Sequence, residues 1–206
     1  MSFLTNITKP HIKEIWKQVS KEIGGSFIDG GFWGKDSVIL NYRSTAIVLE
    51  NSTFSHNKRH STTTIKCPFC STNNFKFNIS TEDAFTHAGK VFGIHDIQTG
   101  NEKFDNAMYL KSSDKDKLLN FLDNETITKQ YLDLARNISY GPIIKITEDN
   151  PTFSLTRNPQ NTLWLYIESV GLEGYKETIK MYFDTFKLTL DRLIEIGEAE
   201  DISPQT

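Results

Sequence analysis

The segment Thr162 to Ser169 constrains this chain more than any other. Leu163, Leu165 and Ile167 fall on one side of a period-two pattern, and Trp164 and Tyr166 fall on the other. A strand that is apolar on both faces is predicted to be central in a sheet or covered by helices. A cover follows it in the sequence. After Gly171 and Gly174, apolar residues recur at helical spacing from Tyr175 through Ile179, Tyr182, Phe183, Phe186, Leu190, Leu193 and Ile194 to Gly197, a run of about six turns. That stripe is wider than a two-helix seam needs, so the helix is expected to lie on the sheet and complete its core.

The rest of the chain supplies the sheet. Ile12, Ile15, Trp16, Val19 and Ile23 mark one face of an N-terminal helix that Gly24-Gly25 ends. Beyond Ser26 the period drops to two. Val38–Tyr42 and Thr45–Ser55 read as strands joined at Arg43-Ser44, and Thr62–Phe69 and Phe75–Ser80 as a second pair around Ser71-Thr72-Asn73-Asn74. These make a meander of roughly four strands. Ala107–Lys111 reads as a short strand. Ser113-Asp114 and Asn124 open two central helices. Strand patterns return at Ile143–Thr147, Thr152–Thr156 and Thr162–Ser169, with a turn at Asn158-Pro159-Gln160-Asn161 between the last two. Glu198–Asp201 reads as an acidic tail. The expected class is α+β, an antiparallel meander with an N-terminal helix, a central helix pair and a long C-terminal helix on the sheet. No Pro/Ser/Gly-rich linker divides the 206 residues, so 1–206 is expected to form one domain.

Bulk properties exclude some functions. With 37% hydrophobic and 24% charged residues the chain is in the globular range. A net charge of −3 disfavours a phosphate-gripping nucleic-acid domain. The first residues lack a basic and then apolar leader, and the longest apolar runs are too short to cross a bilayer, so a cytoplasmic location off the membrane is expected. Only two cysteines are present, too few for a disulfide framework.

One constellation has ligand character: His56, His60, Cys67 and Cys70, H-x3-H followed by C-x2-C. Two Cys and two His suit tetrahedral zinc, and Cys-Pro-x-Cys can turn both sulfurs toward one point. In a straight strand, however, residues three apart face opposite ways, which would make Cys67 a small core residue and leave Cys70 at the start of a turn. As a redox dithiol the pair lacks the following helix that would lower a thiol pKa. Gly30-Gly31-Phe32-Trp33-Gly34-Lys35-Asp36-Ser37 misses the phosphate-loop pattern at Asp29 and Asp36 and reads as a glycine-rich bend. Asp96, Asn101, Glu102 and Asp105 lack the order of a calcium loop and read as turn carboxylates.

The stretch Val91-Phe92-Gly93-Ile94-His95-Asp96-Ile97-Gln98-Thr99-Gly100-Asn101-Glu102-Lys103-Phe104-Asp105, with Met108 to Leu122 after it, resembles an uncharacterised bacterial α+β domain family. The resemblance extends from Trp16–Gly25 to the Leu-x-x-Ile-Gly at Leu193–Gly197. That family is of unknown function and brings no catalytic or binding residues. Its pattern places non-ligand residues at the positions of Cys67 and Cys70, which weighs against zinc.

The leading expectation is a non-catalytic interaction or accessory domain, with a protein partner or self-association and no cofactor. One alternative is a ligand cavity between the sheet and the C-terminal helix, lined by Trp164, Tyr166, Phe183 and Phe186. Another is zinc or redox chemistry at Cys67 and Cys70.

Overall fold

The computed structural model describes residues 8–31, 34–52, 62–81, 97–138, 141–148, 161–170 and 175–203. The expected α+β class is the one observed. Helix α1 (Thr8–Glu22) leads into β1 (Ser26–Ile28), β2 (Ser37–Tyr42), β3 (Thr45–Ser52), β4 (Thr62–Ser71) and β5 (Phe77–Ser80). The one-turn helix α2 (Glu102–Asp105), β6 (Tyr109–Ser112), α3 (Lys115–Leu122), α4 (Glu125–Arg136) and β7 (Ile143–Thr147) follow. The chain closes with β8 (Thr162–Val170), α5 (Lys176–Glu195) and β9 (Ala199–Glu200). All nine strands join one antiparallel sheet in the order β1-β2-β3-β4-β8-β7-β5-β6, with β9 on β4.

Local chemistry sets the ends of these elements. Gly24, at φ +75°, terminates α1, and the Gly25 N–H donates back to the Ser20 carbonyl at 2.7 Å. The Asp114 and Asn124 side chains cap α3 and α4 by accepting from the backbone N–H of Lys117 and Ile127. At the far end of α3, Arg192 of α5 donates to the carbonyls of Asn120 and Phe121, satisfying oxygens the helix leaves open.

Strand β8 is central, as its two apolar faces require, between β4 and β7. That placement corrects one expected pairing. β4 and β5 do not form a hairpin: β8 takes the edge of β4 along its length, from Thr62↔Val170 to Cys70↔Thr162, and β5 pairs with β6 and β7 instead. The turn residues between β4 and β5 serve a crossover past two strands. Pro68 is tolerated inside β4 because its backbone faces the gap between β3, whose ladder ends at Lys66, and β9, whose ladder starts at Cys70. The Thr45 hydroxyl fills that gap, donating to the Pro68 carbonyl at 2.8 Å. The acidic segment is likewise no free tail. Ala199–Glu200 forms β9, Glu198 is buried and pairs with Lys117 at 2.7 Å, and Asp201 holds Arg43 at 3.0 Å. The strand expected at 152–156 and the turn residues 158–160 lie outside the described residues.

The register sorts the side chains onto two faces, because directly opposed residues point the same way. One face carries Val38, Leu40, Ile47, Leu49, Ile65, Cys67, Leu163, Leu165, Ile167, Ile144, Ile146, Phe77 and Ile79. These join Trp16, Phe121, Tyr131, Phe183, Phe186 and Leu190 from the helices in one apolar cluster. The buried apolar side chains of α1, α3, α4 and α5 all belong to it. Within it, the Tyr131 hydroxyl bonds the Thr189 hydroxyl at 2.9 Å, so the buried phenol has a partner. The other face of the sheet is chemically different.

Candidate functional site

One rung of the second face runs Val48, Lys66, Tyr166, Lys145, Asn78, Lys111 across β3, β4, β8, β7, β5 and β6. The neighbouring rung carries Glu50, Thr64 and Glu168, and the rung on the other side carries Pro68, Trp164 and Thr147. Tyr166 is thus flanked by two lysines. Each lysine has a diagonal glutamate: Lys66 Nζ lies 2.5 Å from Glu50 Oε1, and Lys145 Nζ 3.0 Å from Glu168 Oε2. Lys145 also sits over the Tyr166 ring, 5.2 Å from its centroid, and the Trp164 ring centroid is 6.4 Å from that of Tyr166.

These groups are not on open surface. Lys66 is only 4% exposed and Tyr166 1%, and Thr64, Thr162 and Ser80 are buried beside them. Burying an ammonium and a carboxylate in a sheet is costly unless each is paired, which the Lys66–Glu50 contact achieves. Among the described residues, seven buried side-chain atoms have no hydrogen-bond partner; three of them, Trp164 Nε1, Thr162 Oγ1 and Asn78 Oδ1, are on this face, and Ser169 Oγ and Tyr182 Oη are on the core side. A buried polar group without a partner costs about 1–3 kcal/mol, so three on one face call for an explanation.

The four aromatic residues expected to line a cavity do not share one. Phe183 and Phe186 are fully buried in the core cluster on the first face, whereas Trp164 and Tyr166 point to the second. Strand alternation forces this separation. Helix α5 covers the Leu163–Leu165–Ile167 side of β8, so it cannot also meet Trp164 and Tyr166.

The cysteines divide in the same way. β4 stays paired with β8 through both of them, Cys67 opposite Leu165 and Cys70 opposite Thr162, and their side chains leave opposite faces. A single ion held by both sulfurs would require β4 to leave that ladder. Burial pushes the Cys67 thiol far above its ordinary value of 9.0, against a smaller opposing effect of the Thr45 hydroxyl. Burial and the Glu200 carboxylate raise Cys70 as well. Both shifts run opposite to what a reactive dithiol needs. His56 and His60 lie outside the described residues. Among the described residues, no three His, Cys, Asp or Glu side chains converge as a metal site.

The remaining motifs are occupied by the chain itself. Asp36 and Asp29 accept from the N–H groups of Gly30 and Gly31, and Lys13 bridges both carboxylates at 3.2 and 2.9 Å. Gly34 donates to the Gly30 carbonyl, and a Cβ on Gly30 would come within 2.4 Å of the Gly34 carbonyl carbon, so this bend requires glycine. Asp105 accepts from Thr99 and Gly100, and Asn101 caps α2. An open cleft of about 680 Å³ lies at the α3–α4 corner beside that turn, lined by Asn101, Asn120, Asp123, Asn124 and Glu125 over Leu119 and Leu122. None of the buried unpaired atoms belongs to its lining.

Sequence reading missed Lys66, Glu50, Lys145, Glu168, Thr162 and Asn78. A signal was present for two of them: Thr-Ile-Lys-Cys and Ile-Ile-Lys-Ile each place one lysine in an apolar strand with the same parity as Tyr166. Among the described residues, no helix is long and apolar enough to cross a membrane. Compared with protein-family models, curated proteins and solved structures, the chain matches none.

Proposed function

We propose that the protein is a non-catalytic binding domain and that it binds a small molecule on the second face of its sheet, around the Lys66–Tyr166–Lys145 rung. The observation that carries this reading is the buried rung itself, two lysines paired with Glu50 and Glu168 on either side of Tyr166, with Trp164 Nε1 and Asn78 Oδ1 buried on the same face and unpartnered among the described residues. Interior polar groups of a folded chain almost always find partners, and a site that awaits a ligand is one place where they do not. The burial of Lys66, Tyr166 and Thr162 favours a small occupant over a protein surface. The protonated state of both thiols fits a binding role better than a redox one. Two cysteines kept as free thiols suit a reducing compartment such as the cytoplasm.

Native mass spectrometry of the chain purified from its host tests this directly. The expected result is a species heavier than the 23.6 kDa chain by one small molecule, released on denaturation. A bare chain, or one whose added mass is another protein, contradicts it.

A further inference from the structure

We infer a second binding site, apart from the face proposed above: the cleft at the α3–α4 corner takes an ammonium group on an aliphatic stem, the end of a polyamine or of a lysine side chain.

The cleft measures about 680 Å³, within the roughly 300–1,000 Å³ of small-molecule sites. Its walls are held by bonds inside the chain, so its shape exists before anything binds. Arg192 reaches across from α5 and donates to the carbonyls of Asn120, Phe121 and Asp123, which fixes the end of α3. Asp105 accepts from the N–H and hydroxyl of Thr99 and from the Gly100 N–H, which fixes the turn before α2. The side-chain oxygens of Asn101 and Asn124 are committed as the caps of α2 and α4. Walls held in this way have little freedom left to lose on binding.

The groups left over define the ligand. The carboxylates of Asp123 and Glu125 line the cleft, and among the described residues neither has a hydrogen bond or a counter-ion. The side-chain amide of Asn120 is uncommitted as well. The described lining contains no Lys, Arg or His. Arg192 does not offset the two acids, because its guanidinium is already bonded to the three carbonyls and to Glu195 at 3.0 Å. Ionised carboxylates only accept, so they select a donor. An anion is repelled here, and a neutral polyol leaves two negative charges unmatched. An ammonium group brings three donors and the opposite charge. Leu119 and Leu122 form the apolar floor on which its methylene stem can lie.

The test is isothermal titration calorimetry of the full chain with three probes. Putrescine and a blocked Lys-Gly-Lys tripeptide carry the ammonium and its stem from the two sources, and magnesium chloride matches the charge of putrescine without the stem. The wild type is compared with a chain carrying Asp123→Asn and Glu125→Gln, and with Asp184→Asn, which removes an exposed carboxylate elsewhere, on α5. Putrescine or the tripeptide is expected to bind one per chain, roughly tenfold or more weakly when the two cleft acids are neutralised, and unchanged in Asp184→Asn. The tighter of the two assigns the source. Absence of binding by both overturns the inference, as does an equal loss in Asp184→Asn, which would mark diffuse attraction to an acidic surface. Magnesium binding as tightly as putrescine, with the same dependence on the cleft acids, overturns the ligand class. Both cleft substitutions keep the size of the side chain, and a thermal melt shows whether the variant is folded. Should it not be, Asn120→Ala carries the test on an exposed helix position, with a loss of affinity expected and an unchanged affinity contradicting the site.

Discussion

Along β8, Leu165 and Tyr166 are equally hidden from solvent, at 0% and 1% exposure, yet they lie on opposite sides of the sheet among different neighbours. Leu165 meets Ile146 and Cys67 across the strands, within a cluster that α5 closes with Phe183 and Phe186. Tyr166 meets Lys66 and Lys145, each tied to a glutamate, with unpaired polar atoms close by. The first arrangement gains from every buried methylene. The second spends charge pairing on staying buried and still leaves donors and acceptors open. Burial alone therefore does not mark a core. Its chemistry separates a face that holds the fold together from a face suited to recognition.

Substitutions on the two faces are expected to respond differently, and the largest effect belongs to the first. Phe186→Ala should lower stability by about 3–5 kcal/mol, measured by urea unfolding, because the helix that closes the core loses a fully buried ring. A loss below about 1 kcal/mol would mean that α5 does not complete the core.

Next comes the charge pair of the second face. Lys66→Met leaves the half-buried Glu50 without its counter-ion and should cost about 3 kcal/mol, whereas Lys66→Met combined with Glu50→Leu should recover most of that loss. A double-mutant cycle measures this, and additive losses would show that the two side chains are not coupled.

Cys67→Ser should cost about 1–3 kcal/mol and release no metal, while Cys70→Ser should be nearly silent. The thiol also gives a pH dependence. Its folded pKa is raised, so the fold favours the protonated form. That contribution is complete below the ordinary value of 9.0 and is lost as pH rises beyond it. Wild-type stability should therefore fall more steeply above pH 9.0 than that of Cys67→Val, and equal slopes would contradict the burial of this thiol.

The sequence made one of these faces far more legible than the other. The alternation in Thr162–Ser169 and the stripe of α5 identify the central strand and its cover, because apolar burial leaves a periodic trace. Asp114 and Asn124 announce the starts of α3 and α4 by the same side-chain chemistry that caps them. Strand partnership leaves no such trace: nothing in Ser71–Phe75 distinguishes a hairpin from a crossover, so β5 was expected beside β4. The two residues of β9 are too few to show a period. The cavity expected from Trp164, Tyr166, Phe183 and Phe186 ignored the parity that places the first two away from α5. The polar site escaped notice because isolated residues such as Lys66, Lys145 and Asn78 become neighbours only through the register of four strands.

The smallest expected effect tests the difference between the two faces most directly. Thr162 is buried, its hydroxyl has no partner among the described residues, and valine has nearly its shape. If the second face holds open hydrogen-bonding groups for a ligand at the expense of the empty fold, Thr162→Val should raise the stability of the ligand-free chain by about 0.5–1 kcal/mol in urea unfolding. A loss of about 1 kcal/mol or more would instead show that the hydroxyl is satisfied within the chain, and the second face would then be a structural layer like the first.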